Sequence, residues 1–296
     1  LFGIDFTVNE TVNVRLVMNQ PKLYGIRAAV QAKEGSPLAA FDGFGIELLY
    51  RKISETTGMF RGEVLVPKKY RSFQLGIFSL TLGVISVEIY TDGGFYIDLG
   101  FPHQQDFSRS FQFQWSIYNG KGGVYLGVLK DVAKPTVPKI TNGSFSPILM
   151  LGVGLSVGMG RSFDFGIVSG GVSLEVFGIL EGAFACFREK DTGKEDTYYY
   201  VKAAAGISGR LFLSVDLKII AVQASVEVNA SAAVTVSAYR QTRIELELSL
   251  ELRASIKILF IKIRFSFSFH QKVQFAIGKD TKTPWIEEGS SASERR

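Results

Sequence analysis

Polar and apolar residues alternate with period two along most of this chain, and helical spacing is almost absent. The alternation is clear in Phe2 to Val17, Phe73 to Tyr90 and Phe111 to Ile117, and runs nearly unbroken from Val201 to Ile277. Period two puts successive side chains on opposite faces of a strand. The pattern therefore predicts an all-β protein of extended, strongly curved antiparallel sheets. Far-ultraviolet circular dichroism should accordingly show very little helix.

Turn residues divide the strands unevenly. Asp42-Gly43, Asp92-Gly93-Gly94 and Asn119-Gly120-Lys121-Gly122-Gly123 punctuate the first half, as in the tight hairpins of a sandwich. Pro135, Pro138 and Pro147 then crowd together, whereas residues 148 to 283 hold no proline. Proline cannot donate to a sheet ladder. The expected organisation is a sandwich-like region at 1–131, a Pro-rich linker at 132–147, and a long-stranded, glycine-rich region at 148–278. A polar, disordered tail is expected at 279–296.

The long-stranded region contains an approximate repeat. Residues 213–228 align with 252–267 at an offset of 39, matching in polar or apolar class. In both copies the polar parity switches, at Ile220-Ala221 and at Leu259-Phe260. A strand exchanges its faces only at an extra residue or a reversal. A two-residue hairpin needs positive φ, which is costly for β-branched Ile220, and sets Lys257 against Lys262. A β-bulge is therefore the expected device. Either way, Lys257 and Lys262 share one face while Ile256, Ile258, Ile261 and Ile263 share the other, which is expected to be buried. An Asp at Ile258 or Ile263 would then be severely destabilising.

Composition narrows the chemistry. A hydrophobic share of 46% with 21% charged residues excludes global disorder. One cysteine, Cys186, excludes an internal disulfide framework, and its neighbours Phe184, Ala185 and Phe187 predict a buried thiol. His103 and His270 are the only histidines, and neither sits in a motif with a nucleophile. Gly152, Gly154, Gly158 and Gly160 follow an apolar strand but miss the spacing of a dinucleotide fingerprint. They are expected to bare one strand face for close packing or curvature. No catalytic, metal-binding or cofactor-binding residues are assigned. The sequons at Asn9, Asn142 and Asn229 carry no further signal.

Charge is more informative. The chain carries a formal +5, and residues 252–279 hold six cations and no acid. Alternation places Arg253, Lys257, Lys262 and Arg264 on one face, a candidate stripe for an anionic partner. Pairing with Glu245, Glu247 and Glu251 is the competing reading. Phe265, Phe267 and Phe269 take the opposite face, so the stripe lacks the interleaved aromatics of a nucleic-acid binder, and nucleic acid is not the expected partner.

The chain opens on Leu1, which suggests a processed product or a piece of a longer parent chain. The leading functional expectation is a non-enzymatic structural or scaffolding segment of a larger assembly, bacterial or phage-like. It would bind other protein chains, or the rest of its parent, through sheet edges and a polar face. An extracytoplasmic, surface or secreted setting fits. The first alternative is a membrane- or lipid-associated β-groove or β-barrel, suggested by Ile244-x-Leu-x-Leu-x-Leu-x-Leu252. The second is a carbohydrate-active β-sandwich.

Overall fold

The computed structural model describes residues 2–8, 11–20, 22–32, 39–130 and 136–288. Strands account for 73% of the chain and helix for 4%, in a large antiparallel sheet of 17 strands that is not closed into a barrel. The first half contributes β1 (Phe2–Val8), β2 (Val12–Asn19), β3 (Leu23–Val30), β4 (Gly45–Lys52) and β5 (Gly58–Leu65). After a single helical turn, α1 (Lys68–Arg71), come β6 (Ser72–Leu75), β7 (Phe78–Thr81), β8 (Ile85–Tyr90) and β9 (Phe95–Leu99). Next are β10 (Phe111–Trp115), β11 (Tyr118–Leu129) and β12 (Gly143–Asp164). The chain continues through β13 (Val168–Glu189), β14 (Glu195–Asp216), β15 (Ile220–Ser237), β16 (Thr242–Ile258) and β17 (Ile261–Ile277).

Pairing follows chain order with one detour. The ladder runs β1 to β5, then through β8 and β9 to β11, and onward strand by strand to β17. The detour β6–β7–β10 joins the same edge of β11 that β9 uses, so β9 and β10 lie end to end along it. Short and long strands thus belong to one ladder, with β11 and β12 paired over twelve residues across the segment expected to be a linker. β12, β13 and β14 are each 22 residues long. At about 3.3 Å per residue each spans roughly 70 Å, far beyond the usual strand of three to ten residues.

The linker and tail expectations change accordingly. Residues 131–135 lie outside the described residues, but Thr136 and Val137 are buried, and the Tyr198 hydroxyl donates to Thr136 O at 2.7 Å. Gly143 to Pro147 already belong to β12. Residues 279–288 fold back rather than trailing away. Thr281 N donates to Tyr239 O, Glu288 N to Lys139 O, and Ile286 N to the Asn142 side chain at 2.7 Å. The driving force is Trp285, 2% exposed and ringed by Phe145, Phe187, Tyr198 and Tyr239 at centroid distances of 5.3 to 5.8 Å. Residues 289–296 lie outside the described residues.

Both parity switches are reversals, not bulges. Leu259 and Phe260 form a two-residue loop that pairs Lys257 with Lys262. In the first copy the loop is Lys218-Ile219, since Leu217 N donates to Ile220 O at 2.8 Å. The positive φ falls on Lys218 (66°) and Leu259 (54°), so no β-branched residue carries it. Facing lysines are tolerated because both are exposed, where solvent screens the repulsion. The loops stand 41 residues apart, whereas the alignment offset is 39, so the repeat is not carried into the turn geometry. A left-handed φ strains an L-residue by about 1 kcal/mol. Lys218→Gly should therefore raise the denaturation midpoint, by an amount corresponding to up to about 1 kcal/mol.

Candidate functional site

Cross-strand register sorts the side chains into two faces of different character. On β12, Leu149, Leu151, Leu155, Val157 and Met159 project from one face and are exposed. Their partners on β13 include Phe184, Val176 and Leu174, and Leu180 pairs with Val153 on the same face. The same face continues through Leu211 and Leu213, Val222 and Val228, Leu246 and Leu248, and Phe265 to Phe275. In the other direction it passes Val124 and Leu126, Ile89, Phe60, Leu48, Ile26 and Ile4. This apolar face is open from one edge strand to the other. On its short-stranded part lies a depression of about 580 Å³, bounded by Leu16, Met18, Tyr24, Ile26, Leu48 and Phe60 among others.

The opposite face is covered at one end and polar at the other. The segment following β9 lies across it and buries Phe101 and Phe107. The folded-back residues 281–288 bury Trp285 beside Ile148, Ala185 and Phe187. Two glycines of β12 make room for this packing. A Cβ on Gly152 would meet the Tyr125 ring at 2.2 Å, and one on Gly154 would meet Pro102 Cγ at 2.2 Å. Close backbone approach thus explains the glycine run, as the sequence suggested. Gly154→Val should displace the Phe101–Arg109 segment and destabilise the fold by about 1–3 kcal/mol, measured by thermal or chemical denaturation.

The polar part of this face is held by Lys121, whose Nζ lies 3.0 Å from Glu175 Oε1, and by Ser156, which donates to the same carboxylate at 2.5 Å. His103 Nε2 sits 2.6 Å from Asp98 Oδ2, and Asp98 also accepts from Phe101 N. Sequence reading missed this pair because the turn at Gly100, φ 68°, brings the two side chains together. Among the described residues no nucleophile completes it: Ser110 Oγ donates to Gly100 O, and Asp106 caps Ser108. The backbone N–H and hydroxyl of Ser108 hold the Asp106 carboxyl below its usual range. A cavity of about 240 Å³ lies alongside, lined by Phe101, Pro102, Gln104, Gln105, Ile179, Glu181, Lys202 and Ala204. Among the described residues, no three His, Cys, Asp or Glu side chains converge as a metal site.

The candidate stripe falls on this polar face, where Arg253 and two neighbours outside the stripe, Lys272 and His270, meet acids and the other three stripe residues do not. Lys272 lies 3.3 Å from Glu245, His270 is 3.8 Å from Glu247, and Arg253 bonds Glu251 of its own strand. These follow the pairing alternative. Lys257, Lys262 and Arg264 make no ion pair among the described residues. Two burial expectations are overturned. Cys186 is exposed, and Ile258 and Ile263 are 47% and 62% exposed. Alternation assigned their face correctly, but nothing among the described residues covers it. Asp at either isoleucine is therefore expected to perturb the isolated fold little.

Total accessible surface reflects this openness. It is 19212 Å², against roughly 12,400 Å² for a compact monomer of 32.6 kDa. Contiguous exposed apolar patches beyond several hundred Å² mark contact with lipid, ligand or protein. Fold and surface together define a class: an all-β protein built as one open amphipathic sheet. Comparison with family models, curated proteins and solved structures finds no match, so function is argued from these residues alone.

Proposed function

We propose that this chain is a non-enzymatic, lipid-associated β-sheet module whose open face lies against acyl chains. The observation that carries this reading is the continuous apolar face, uncovered among the described residues from β1 to β17, while the opposite face holds the core and the Lys121–Glu175 pair. Acyl chains satisfy such a surface without hydrogen bonds, and the backbone groups within the ladder are already paired. Apolar-out, polar-in alternation is the pattern of lipid-facing strands.

The test is to purify the chain without detergent, extract it, and identify bound lipid by mass spectrometry, followed by flotation with phosphatidylcholine vesicles. Co-purifying lipid and flotation are expected. A soluble, lipid-free monomer that stays at the bottom of the gradient would overturn the reading.

The scaffolding expectation retains one specific support. All seventeen residues of β17 are exposed, and among the described residues β17 pairs only with β16. A free edge of this length is a template for another strand, from a parent chain or a neighbouring protein. Light scattering in detergent distinguishes a monomer from an edge-joined assembly.

A further inference from the structure

The two ends of the sheet differ sharply, and the difference assigns an orientation that the lipid reading alone does not contain. At one end, the loops are polar. Lys190 to Lys194 connect β13 to β14, and the turn after β15 carries Arg240, which pairs with Asp280 at 3.5 Å and Glu287 at 2.7 Å. At the other end, three hairpin loops sit side by side. Asp216 N donates to Ile167 O, and Leu259 N to Ile219 O, both at 2.7 Å. The exposed apolar residues there are Phe165, Ile167, Leu217, Ile219, Leu259 and Phe260, with Phe165 at 79% and Phe260 at 89%, beside exposed Asp164, Gly166, Asp216 and Lys218. The neighbouring β10–β11 turn adds exposed Trp115 and Ile117, and Gly160 N donates to Ile117 O at 2.9 Å. Turns facing water select Gly, Asn, Asp and Ser. Tips of Phe, Leu and Ile have the composition of a surface that leaves water.

Directly behind these tips lie cations. Lys218 is in a loop itself, Lys257 and Lys262 face each other two residues behind another, and Arg264 follows on the same face. The two aspartates at this end are engaged by the turns: Asp164 accepts from Gly166 N and Asp216 from Lys218 N, each at 2.8 Å. Apolar tips backed by four cations that make no ion pair among the described residues, and that outnumber the two aspartates, match the layering of an anionic bilayer, with hydrocarbon inside and phosphate above it.

We propose that this end enters an anionic phospholipid surface tip first, with Phe165, Ile219 and Phe260 in the acyl layer and Lys218, Lys257, Lys262 and Arg264 at the headgroup phosphates. The proposal rests on the lipid-associated reading and adds the direction of entry and the headgroup chemistry.

The experiment floats the full chain with vesicles of phosphatidylcholine alone and of phosphatidylcholine mixed with phosphatidylglycerol. The wild type should prefer the anionic vesicles, and the preference should shrink with added salt. Lys257→Gln, Lys262→Gln and Arg264→Gln together should remove it, at about fivefold per cation or on the order of a hundredfold in all. Phe165→Ser, Ile219→Ser and Phe260→Ser together should lose binding to both vesicles. Phe260→Trp, in a Trp115→Phe background, should be quenched by brominated acyl chains.

Unchanged binding of the serine variant, equal binding of wild type to both vesicles, or the absence of quenching in the Phe260→Trp variant would each overturn tip-first entry. In those cases the open-face reading stands if wild type still carries bound lipid and lysines placed on that face remove it. If wild type binds neither vesicle and carries no lipid, both proposals fall together.

Discussion

A variant carrying Leu151→Lys, Leu155→Lys and Val157→Lys should keep its fold and lose its hold on lipid. All three side chains project from β12 onto the open face and are exposed. Their removal therefore opens no cavity, and lysine finds water in the isolated chain. Thermal stability should change by no more than about 1 kcal/mol, as for surface substitutions outside packed sites. Against acyl chains the outcome reverses. A lysine on a lipid-facing strand costs about 2–4 kcal/mol deep in the hydrocarbon. Three of them should lower occupancy of the open face by acyl chains, read as co-purifying lipid, by about four orders of magnitude or more, since each 1.4 kcal/mol is tenfold. Loss of the folded circular dichroism signal in this variant would mean that the face is packed against something, and the open-sheet description would fail. Undiminished co-purifying lipid would remove the acyl-chain contact.

Truncation at the opposite end acts on the fold itself. Trp285→Ala deletes the ring at the centre of Phe145, Phe187, Tyr198 and Tyr239. It should destabilise by about 3–5 kcal/mol, the usual range for emptying a buried aromatic site. The segment it anchors would then open, freeing the backbone at Lys279 and Lys282, whose side chains are already exposed, for cleavage by trypsin well before the long strands are cut. Trp285→Phe should be milder for a specific reason. The indole Nε1 is buried without a hydrogen-bond partner among the described residues, so losing that N–H offsets part of the lost contact area. Equal damage from the two substitutions would indicate that Nε1 does have a partner.

Strand content and face assignment were legible from the sequence, because period-two alternation is a local consequence of backbone pleating. Lys257 and Lys262 share a face, as do Ile256, Ile258, Ile261 and Ile263, in agreement with the alternation. The close packing at Gly152 and Gly154 was also readable, since glycine on alternate positions leaves one face bare. The candidate stripe was half legible. Parity gave its face, but register decided that Lys272 meets Glu245 while Lys257 meets Lys262.

What the chain could not announce locally was coverage. An apolar residue on an alternating strand reads the same whether it faces a core, another chain or lipid. The burial assigned to Cys186, Ile258 and Ile263 failed for that reason. Long-range closure was equally invisible. Trp285 lies 140 residues from Phe145 along the chain, and only the folded path of residues 279–288 brings their rings to 5.5 Å. The choice between bulge and hairpin turned on where a single positive φ could fall, and the fold put it on Lys218 and Leu259 instead of on Ile220. Alternation thus determined that this protein is an amphipathic sheet. Tertiary structure decided which face stays open and which end carries the apolar tips, because both depend on the order in which strands meet in space.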